Sequence, residues 1–359
     1  MPIHDWIILD HLDRMTDSTG LIQHAIYSVP RRESGYTTDD NARALRLCTR
    51  LWSHDPDNRM LNRVTTYLSF LEHARCPVRG FHNFLSYQRD WLDAGGTGDC
   101  QGQAVRALAE VLASNLPNGY RLVARELIDS VLPALAELRS LRAQAYVILA
   151  YGHLWAARVN DIELLEPVAR LAAQRLVECY RRSLRSDWQW FESRLTYANA
   201  VLPHALFVAA QIWPKEDFAE VADSSFVFLE RATTWENIFW PVGNSDWYSH
   251  GEHKSLYDQQ PIEAAMMADG ALAAFNLLRD EKYLSIFCRA HDWFHGLNSL
   301  KQRLIDAESG GGCFDGIQRS GLNLNQGAES TLAHLWTEVH NVEMQLAVND
   351  SLEAGVAER

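Results

Sequence analysis

Gln260-Pro261-Ile262-Glu263-Ala264-Ala265-Met266-Met267-Ala268-Asp269-Gly270-Ala271-Leu272-Ala273-Ala274-Phe275-Asn276-Leu277-Leu278 is the stretch on which the fold turns. It opens with polar and acidic residues and continues with small and apolar residues on every face. A helix that is apolar all round is buried all round. Five further stretches share this habit: 39–51, 101–112, 142–156, 197–212 and 328–339. Between them lie amphipathic, charge-bearing segments at 58–74, 120–136, 162–181, 218–233 and 281–296, with 5–26 placed to supply one more. Apolar residues recur at i, i+3, i+4, i+7, and strand-like alternation is almost absent. Pro203 inside 197–212 is expected to kink that helix.

Inner and outer helices therefore alternate six times, the inner ones starting about 40 to 70 residues apart. That period signals stacked helical hairpins. The segments leading into the inner helices (28–38, 81–100, 186–196, 235–259 and 310–327) are long, aromatic and glycine-rich. Those leaving them are shorter. Elaborate loops gathered on one rim suit a closed ring built around a site better than an open solenoid. The expected fold is all-α, an (α/α)6 toroid of six hairpins over 1–345, with 346–359 as a C-terminal tail.

The 359 residues carry 46 acidic and 33 basic side chains, a formal net charge of −13. Such a surface repels phosphate backbones, so nucleic acid is not an expected partner. Six scattered cysteines form no CxxC pair, and no apolar run reaches membrane-spanning length. Residues 1–12 do not read as a signal peptide. A cytoplasmic protein with free thiols, no membrane association and no cofactor is the expectation.

Four constellations carry chemistry. Tyr36-Thr37-Thr38-Asp39-Asp40-Asn41-Ala42-Arg43 opens the first inner helix. Thr38 or Asp39 alone would cap it; two adjacent acids with Asn41 and Arg43 exceed that need. Asp187-Trp188-Gln189-Trp190-Phe191-Glu192, followed by Tyr197 and Asn199, sets Glu192 among aromatics, where desolvation would favour a general acid. Asn244-Ser245-Asp246-Trp247-Tyr248-Ser249-His250-Gly251-Glu252-His253 precedes Asp258, Gln259 and Glu263. Its histidine spacing fits no zinc motif, so no metal is expected there and Asp258 and Glu263 read as carboxylates facing sugar. Asp315, then Asn325, Gln326 and Glu329, close the series before the last inner helix. Of the twelve tryptophans, Trp188, Trp190 and Trp247 stand in rim loops where indole faces suit sugar rings.

Six helices ~9 Å apart make a ring of ~9 Å radius, so inward side chains on opposite helices would stand ~6–10 Å apart, the span of an inverting glycosidase pair. Helices one and four bring acids to both sides, giving Asp40 as base and Glu192 as acid. Helix two offers Gln103 opposite Asp258. Asp258 and Glu329 are the reserve pair, with Asp39 beside them. Tyr36, Asn41, Arg43, Tyr197, Asn199, Asp246, His250, Gln259, Asp315, Asn325 and Gln326 complete the expected substrate contacts.

Several of these stretches resemble a bacterial family of helical proteins in the six-hairpin glycosidase-like superfamily, whose members are fused to, or encoded beside, sugar-nucleotide glycosyltransferases. The matching residues include Asp17, Gly20, Gln23 and His24, the run 35–45, 187–192, 195–200, 258–263 and 323–331. The resemblance implies an (α/α)6 barrel, a glycan-related role and a functional association with a glycosyltransferase. A glycoside hydrolase on short oligosaccharides is the leading expectation. A sugar 2-epimerase or polysaccharide lyase, with His24, His204 or His250 as base, is the enzymatic alternative, although the acidic surface disfavours a lyase acting on uronates. A non-catalytic glycan-binding partner of a glycosyltransferase is the third.

Overall fold

A computed structural model describes residues 6–76, 79–160 and 164–357, with side chains to residue 346. The expected starts at Asp5 and Ile162 lie outside the described residues. Among the described residues twelve α-helices follow in order: α1 (Asp10–Met15), α2 (Thr38–His54), α3 (Asn58–His73), α4 (Gly98–Ala113), α5 (Asn118–Ala136), α6 (Leu141–Ala156), α7 (Glu166–Ser183), α8 (Val201–Ile212), α9 (Phe218–Ala232), α10 (Pro261–Leu278), α11 (Lys282–Phe294) and α12 (Ala328–Ala357). The even-numbered helices pack each on the next, and α12 returns to α2. Odd-numbered helices α3 to α11 each cover the inner helix before them, while α1 covers α12. The ring is closed, and the (α/α)6 toroid stands.

Small residues explain how closely the inner helices approach. A Cβ on Gly102 of α4 would lie 2.9 Å from the Tyr146 Cβ of α6, so only glycine fits without displacement. Leu45, Leu108, Ile148 and Leu206 are fully buried within the wall. Truncating one such leucine costs ~2–5 kcal/mol.

Three local expectations change. The N-cap of α2 is Thr37, one residue earlier than expected; its Oγ1 accepts from the Asp40 N–H at 3.2 Å and donates to Asp40 Oδ2 at 2.7 Å. Helix α8 begins at Val201, because Ala198 takes a left-handed φ of 45° and ends the extended approach. Pro203 therefore lies in the first turn, where its missing N–H is harmless, and no kink is needed. The rim loops also hold paired strands of two or three residues, too short to show alternation. Tyr36 and Thr37 pair with Leu85 and Phe84, Arg194 and Leu195 pair with Ser249 and Tyr248, and Gln259 bridges Ile317. These ribbons join neighbouring loops and fix the mouth of the ring.

Candidate active site

A polar cavity of about 380 Å³ opens at the N-terminal ends of the inner helices, lined by Asp39, Asp40, Arg43, Asp258, Asp315 and Glu329 with a ring of amides. A second hollow of about 330 Å³ shares Asp39, Arg43, Asn244, Gln260 and Glu329 with it and adds Asp99, Gln103, Tyr146, Tyr197 and Trp247. The two are lobes of one mouth.

Arg43 organises the first lobe from one turn inside α2. Its Nη1 donates to Asp40 Oδ1 at 2.9 Å and its Nη2 to Glu329 Oε2 at 3.0 Å. Burial alone would weaken the guanidinium's hold on its proton, but Glu329, Asp40 and Asp39 outweigh it and keep Arg43 charged. Asp40 spends both oxygens, one on Arg43 and one on Thr37. Asp39 is held differently. Asn83 donates to its Oδ2 at 3.2 Å, while its Oδ1 is buried without a partner among the described residues. Desolvation pushes its pKa up to about 6 against the pull of Arg43. Burial likewise raises Glu329 and Asp315, the latter accepting from the Gly327 N–H at 2.7 Å.

Asp258 reaches the cavity from the turn before α10, in a left-handed conformation with φ 58°. Its carboxylate has no hydrogen-bond or ion-pair partner among the described residues. Gly243 makes this turn feasible: a Cβ there would lie 1.7 Å from the Tyr257 carbonyl. The Asn244 N–H then donates to the Asp258 carbonyl at 3.0 Å, and the Asn244 side chain joins the wall of both lobes.

The second lobe is aromatic on one side. Tyr197 donates its hydroxyl to Asp99 Oδ2 at 2.5 Å and lies under Arg142 at 4.5 Å, and its ring stands 6.4 Å from Trp247. Gln103 is buried with its Oε1 unpartnered among the described residues.

The structure thus brings together Asp39, Asp40, Arg43, Gln103, Tyr197, Trp247, Asp258, Gln259, Asp315 and Glu329 from the expected set. Gln259 is nevertheless committed elsewhere, donating to Leu256 O and Ser299 Oγ and accepting from Trp293 Nε1. Glu192 stands outside the cavity, clasped by Arg142 at 3.1 Å, while the same guanidinium holds Tyr197 O and Thr196 Oγ1. Trp188 and Trp190 offer no face to a sugar: they are 2% and 0% exposed and pack edge-on against Phe228 and Phe191 respectively. Other expected contacts are spent on the scaffold. Tyr36 donates to Asp17, Asn41 accepts from the Leu21 N–H, Asn325 accepts from the Tyr27 N–H, and Gln326 donates to Asp306. Asn199 and Glu263 hold each other, with Glu263 also accepting from the Ala198 N–H; burial raises its pKa to about 7. Asp246 and His250 lie outside the mouth, beside Arg194 and Asp187. His204 is buried deeper in the ring, its pKa lowered to about 3 by desolvation.

Sequence reasoning missed Asn83, Asp99, Asn244, Gln260, Gln318 and Ser330 on the walls. Asn83 lies in the loop before α4 and Asp99 in the first turn of α4, neither in a stretch singled out for chemistry, whereas Asn244 and Gln260 sit inside such stretches. His24, on the N-terminal loop, does line the first lobe.

No protein-family model matches the sequence, and no curated protein matches it. Solved structures do match in fold. A cellobiose 2-epimerase from Bacillus thermoamylovorans is similar at TM-score 0.72 and 13% identity, over 94% of this chain and 97% of that one. The GH76 alpha-mannanase from Bacteroides thetaiotaomicron is similar at TM-score 0.68 and 12% identity, over 97% of each. A D-mannose isomerase gives TM-score 0.67 and 10% identity, over 95% of this chain and 97% of that one. Among the described residues, no helix is long and apolar enough to cross a membrane.

Proposed function

We propose that the chain is a carbohydrate-active enzyme, and specifically an inverting glycoside hydrolase acting on a short neutral oligosaccharide, with Asp39 as general acid and Asp258 as general base. The toroids it resembles include proteins described as an alpha-mannanase, a cellobiose epimerase and a mannose isomerase, and all three names refer to sugars. One observation carries the choice among them. A single cavity is lined by a carboxyl held near pKa 6 and by a carboxylate with no partner of its own. Two carboxyl groups with separated roles are what glycoside hydrolysis requires.

In this reading water, deprotonated by Asp258, attacks the anomeric carbon. The bond from that carbon to the bridging oxygen breaks, and the leaving oxygen takes the proton of Asp39. Asn83, which donates to Asp39 Oδ2, holds the acid in place. Asp40 pairs with Arg43 and sets that guanidinium against Glu329. Amides of Asn244, Gln260 and Asn323 are placed to bond hydroxyls, and Tyr197 and Trp247 to cover a ring face. The carboxyl groups of Asp40, Asp258, Asp315 and Glu329 outnumber the one arginine, Arg43, on these walls, which disfavours an anionic sugar.

The test is turnover on a panel of mannose- and glucose-containing oligosaccharides, read by reducing-end release. Asp39→Asn and Asp258→Asn should each lower kcat by ~10²–10⁴, with sugar binding retained. The anomer released, followed by NMR, should be inverted. A second reading rests on His24 in the first lobe: a sugar 2-epimerase or isomerase. Deuterium entering C2 of a reducing sugar in D2O, abolished by His24→Ala and without any glycosidic cleavage, would replace the hydrolase with that reading. Association with a glycosyltransferase remains a separate proposal, checked by co-purification.

A further inference from the structure

Away from the mouth, where α11 meets α12, three imidazoles converge on one carboxylate. His291 lies in the last turn of α11 and His295 follows its end; His334 and Glu338 lie one turn apart on α12. His295 Nε2 is 2.6 Å from Glu338 Oε1, His334 Nε2 is 3.2 Å from the same oxygen, and His291 Nε2 is 3.4 Å from Oε2. One ligand atom from each of His291, His295 and Glu338 falls within 4.8 Å of the others. None of these residues lines the cavity already described.

We propose that His291, His295 and Glu338 bind a divalent transition metal, zinc by preference, with His334 or water as the fourth ligand, and that the metal ties α11 to α12. Imidazole nitrogen with a single carboxylate selects zinc, copper or nickel over calcium and magnesium, which demand oxygen. Every ion-pair partner of Glu338 among the described residues is a histidine, with no lysine or arginine to neutralise it. A carboxylate needs one proton donor for neutralisation; three imidazoles exceed that need. Neutral imidazole offers a lone pair at Nε2, and four ligand atoms around a zinc at ~2.0–2.2 Å stand only slightly farther apart than the contacts seen here.

The surroundings support ligation. His291 Nδ1 lies 3.3 Å from Asp292 Oδ1, the kind of outer carboxylate that fixes a ligand's tautomer and aims its other nitrogen at the metal. The His334 Nδ1 is buried without a partner among the described residues. Phe287 stacks on the His291 ring and Phe294 packs on His334, walling the cluster on its inner side. The His295 side chain is 31% exposed, which leaves a way in. Helix α12 both closes the ring against α2 and carries Glu329 and Ser330 into the cavity. A metal joining it to α11 would set the position of the last wall of the mouth.

The experiment uses tag-free, chelator-treated full-length protein titrated with zinc chloride by calorimetry, with thermal unfolding alongside. One equivalent should bind, Tm should rise, and His295→Ala should weaken affinity by at least ~10-fold. Cobalt(II) in place of zinc should give the visible spectrum of a four-coordinate site. Should Glu338→Gln fail to fold, the His291→Ala/His295→Ala pair, at the open end of α11, serves in its place. Absence of saturable one-to-one binding, or binding that survives the double substitution, overturns the proposal.

Discussion

Two sets of buried carboxylates lie within the same ring, one at its mouth and one deeper inside, and although burial raises both, their net shifts run in opposite directions. At the mouth, Asp39 keeps one amide partner and one orphaned oxygen, and its pKa rises to about 6. Deeper in, Asp269 accepts from Trp336 Nε1 at 2.7 Å, stands 3.0 Å from His340 Nε2 and lies 3.6 Å from Arg106. Desolvation would raise it too, but these partners hold it well below the usual carboxylate range. Glu110 follows Asp269, bound by Arg46 at 2.5 Å and His153 at 3.1 Å. All six inner helices contribute to this inner layer: Arg46, Arg106 with Glu110, His153, His204, Asp269, and Trp336 with His340. Burial alone does not make a reactive acid; burial beside too few donors does. The inner layer is a charge-compensated floor, although Asp269 Oδ2, Arg106 Nη1 and His204 Nδ1 make no hydrogen bond among the described residues, and at the mouth Asp39 has no cation paired with it there.

The largest expected effect breaks the floor. Asp269→Ala strips the partner from Trp336 and His340 and leaves Arg106 a buried cation with less compensation. A loss of ~3–5 kcal/mol in unfolding free energy is expected, measured by chemical denaturation. A loss under ~1 kcal/mol would mean that the two layers do not differ as described.

The next effect has the opposite sign. The folded pKa of Asp39, about 6, exceeds its unfolded value of ~3.9, so ionising it works against the fold. Its contribution declines as pH rises from about 4 to about 6. Asp39→Asn should therefore be more stable than wild type at pH 7 by ~1–3 kcal/mol and nearly equal to it at pH 4, while losing turnover. Thermal unfolding at both pH values checks this, and equal shifts at both would remove Asp39 from the role of acid. In the floor, His340 is raised to about 9, chiefly by Asp269 and Glu343 against desolvation. Its stabilisation is complete below ~6.5 and is lost as pH climbs through about 9. His340→Gln should flatten that alkaline decline, by ~1–2 kcal/mol between pH 6.5 and 9.

How far the sequence revealed these layers follows from the kind of signal each residue leaves. The ring was legible because inner helices are apolar on all sides, and α10 matches its expected span within one residue. The pair Asp39-Asp40 was legible because helix starts announce themselves in composition. Glu192 misled for a physical reason: Trp188 and Trp190 fold inward as core, and the chain between them and Tyr197 turns its carboxylate toward Arg142 rather than the axis. A loop's aromatic content does not say which way the rings point. Asn83 and Asp99 left no mark, since each is a single polar residue made important by a partner 44 or 98 positions away. Histidines 291, 295, 334 and Glu338 carry a four-residue spacing on two helices, yet only the packing of α11 on α12 brings the two pairs together.

The smallest effect probes the edge between scaffold and site. Tyr197 donates to Asp99 and lies under Arg142, so its ring is held from two sides at the second lobe. Tyr197→Phe removes the hydroxyl and keeps the ring beneath the guanidinium. Tyr197 is 42% exposed, so water can take over at Asp99 and stability should change by less than ~1 kcal/mol. If the ring covers a sugar face, KM should rise by no more than ~5-fold with kcat unchanged, because only the ring's anchoring is loosened. Tyr197→Ala, which deletes the face itself, should raise KM further than Tyr197→Phe does. Equal KM values for the two variants would place the contact in the hydroxyl rather than the ring, and a fall in kcat for Tyr197→Phe would move Asp99 from the scaffold into the chemistry.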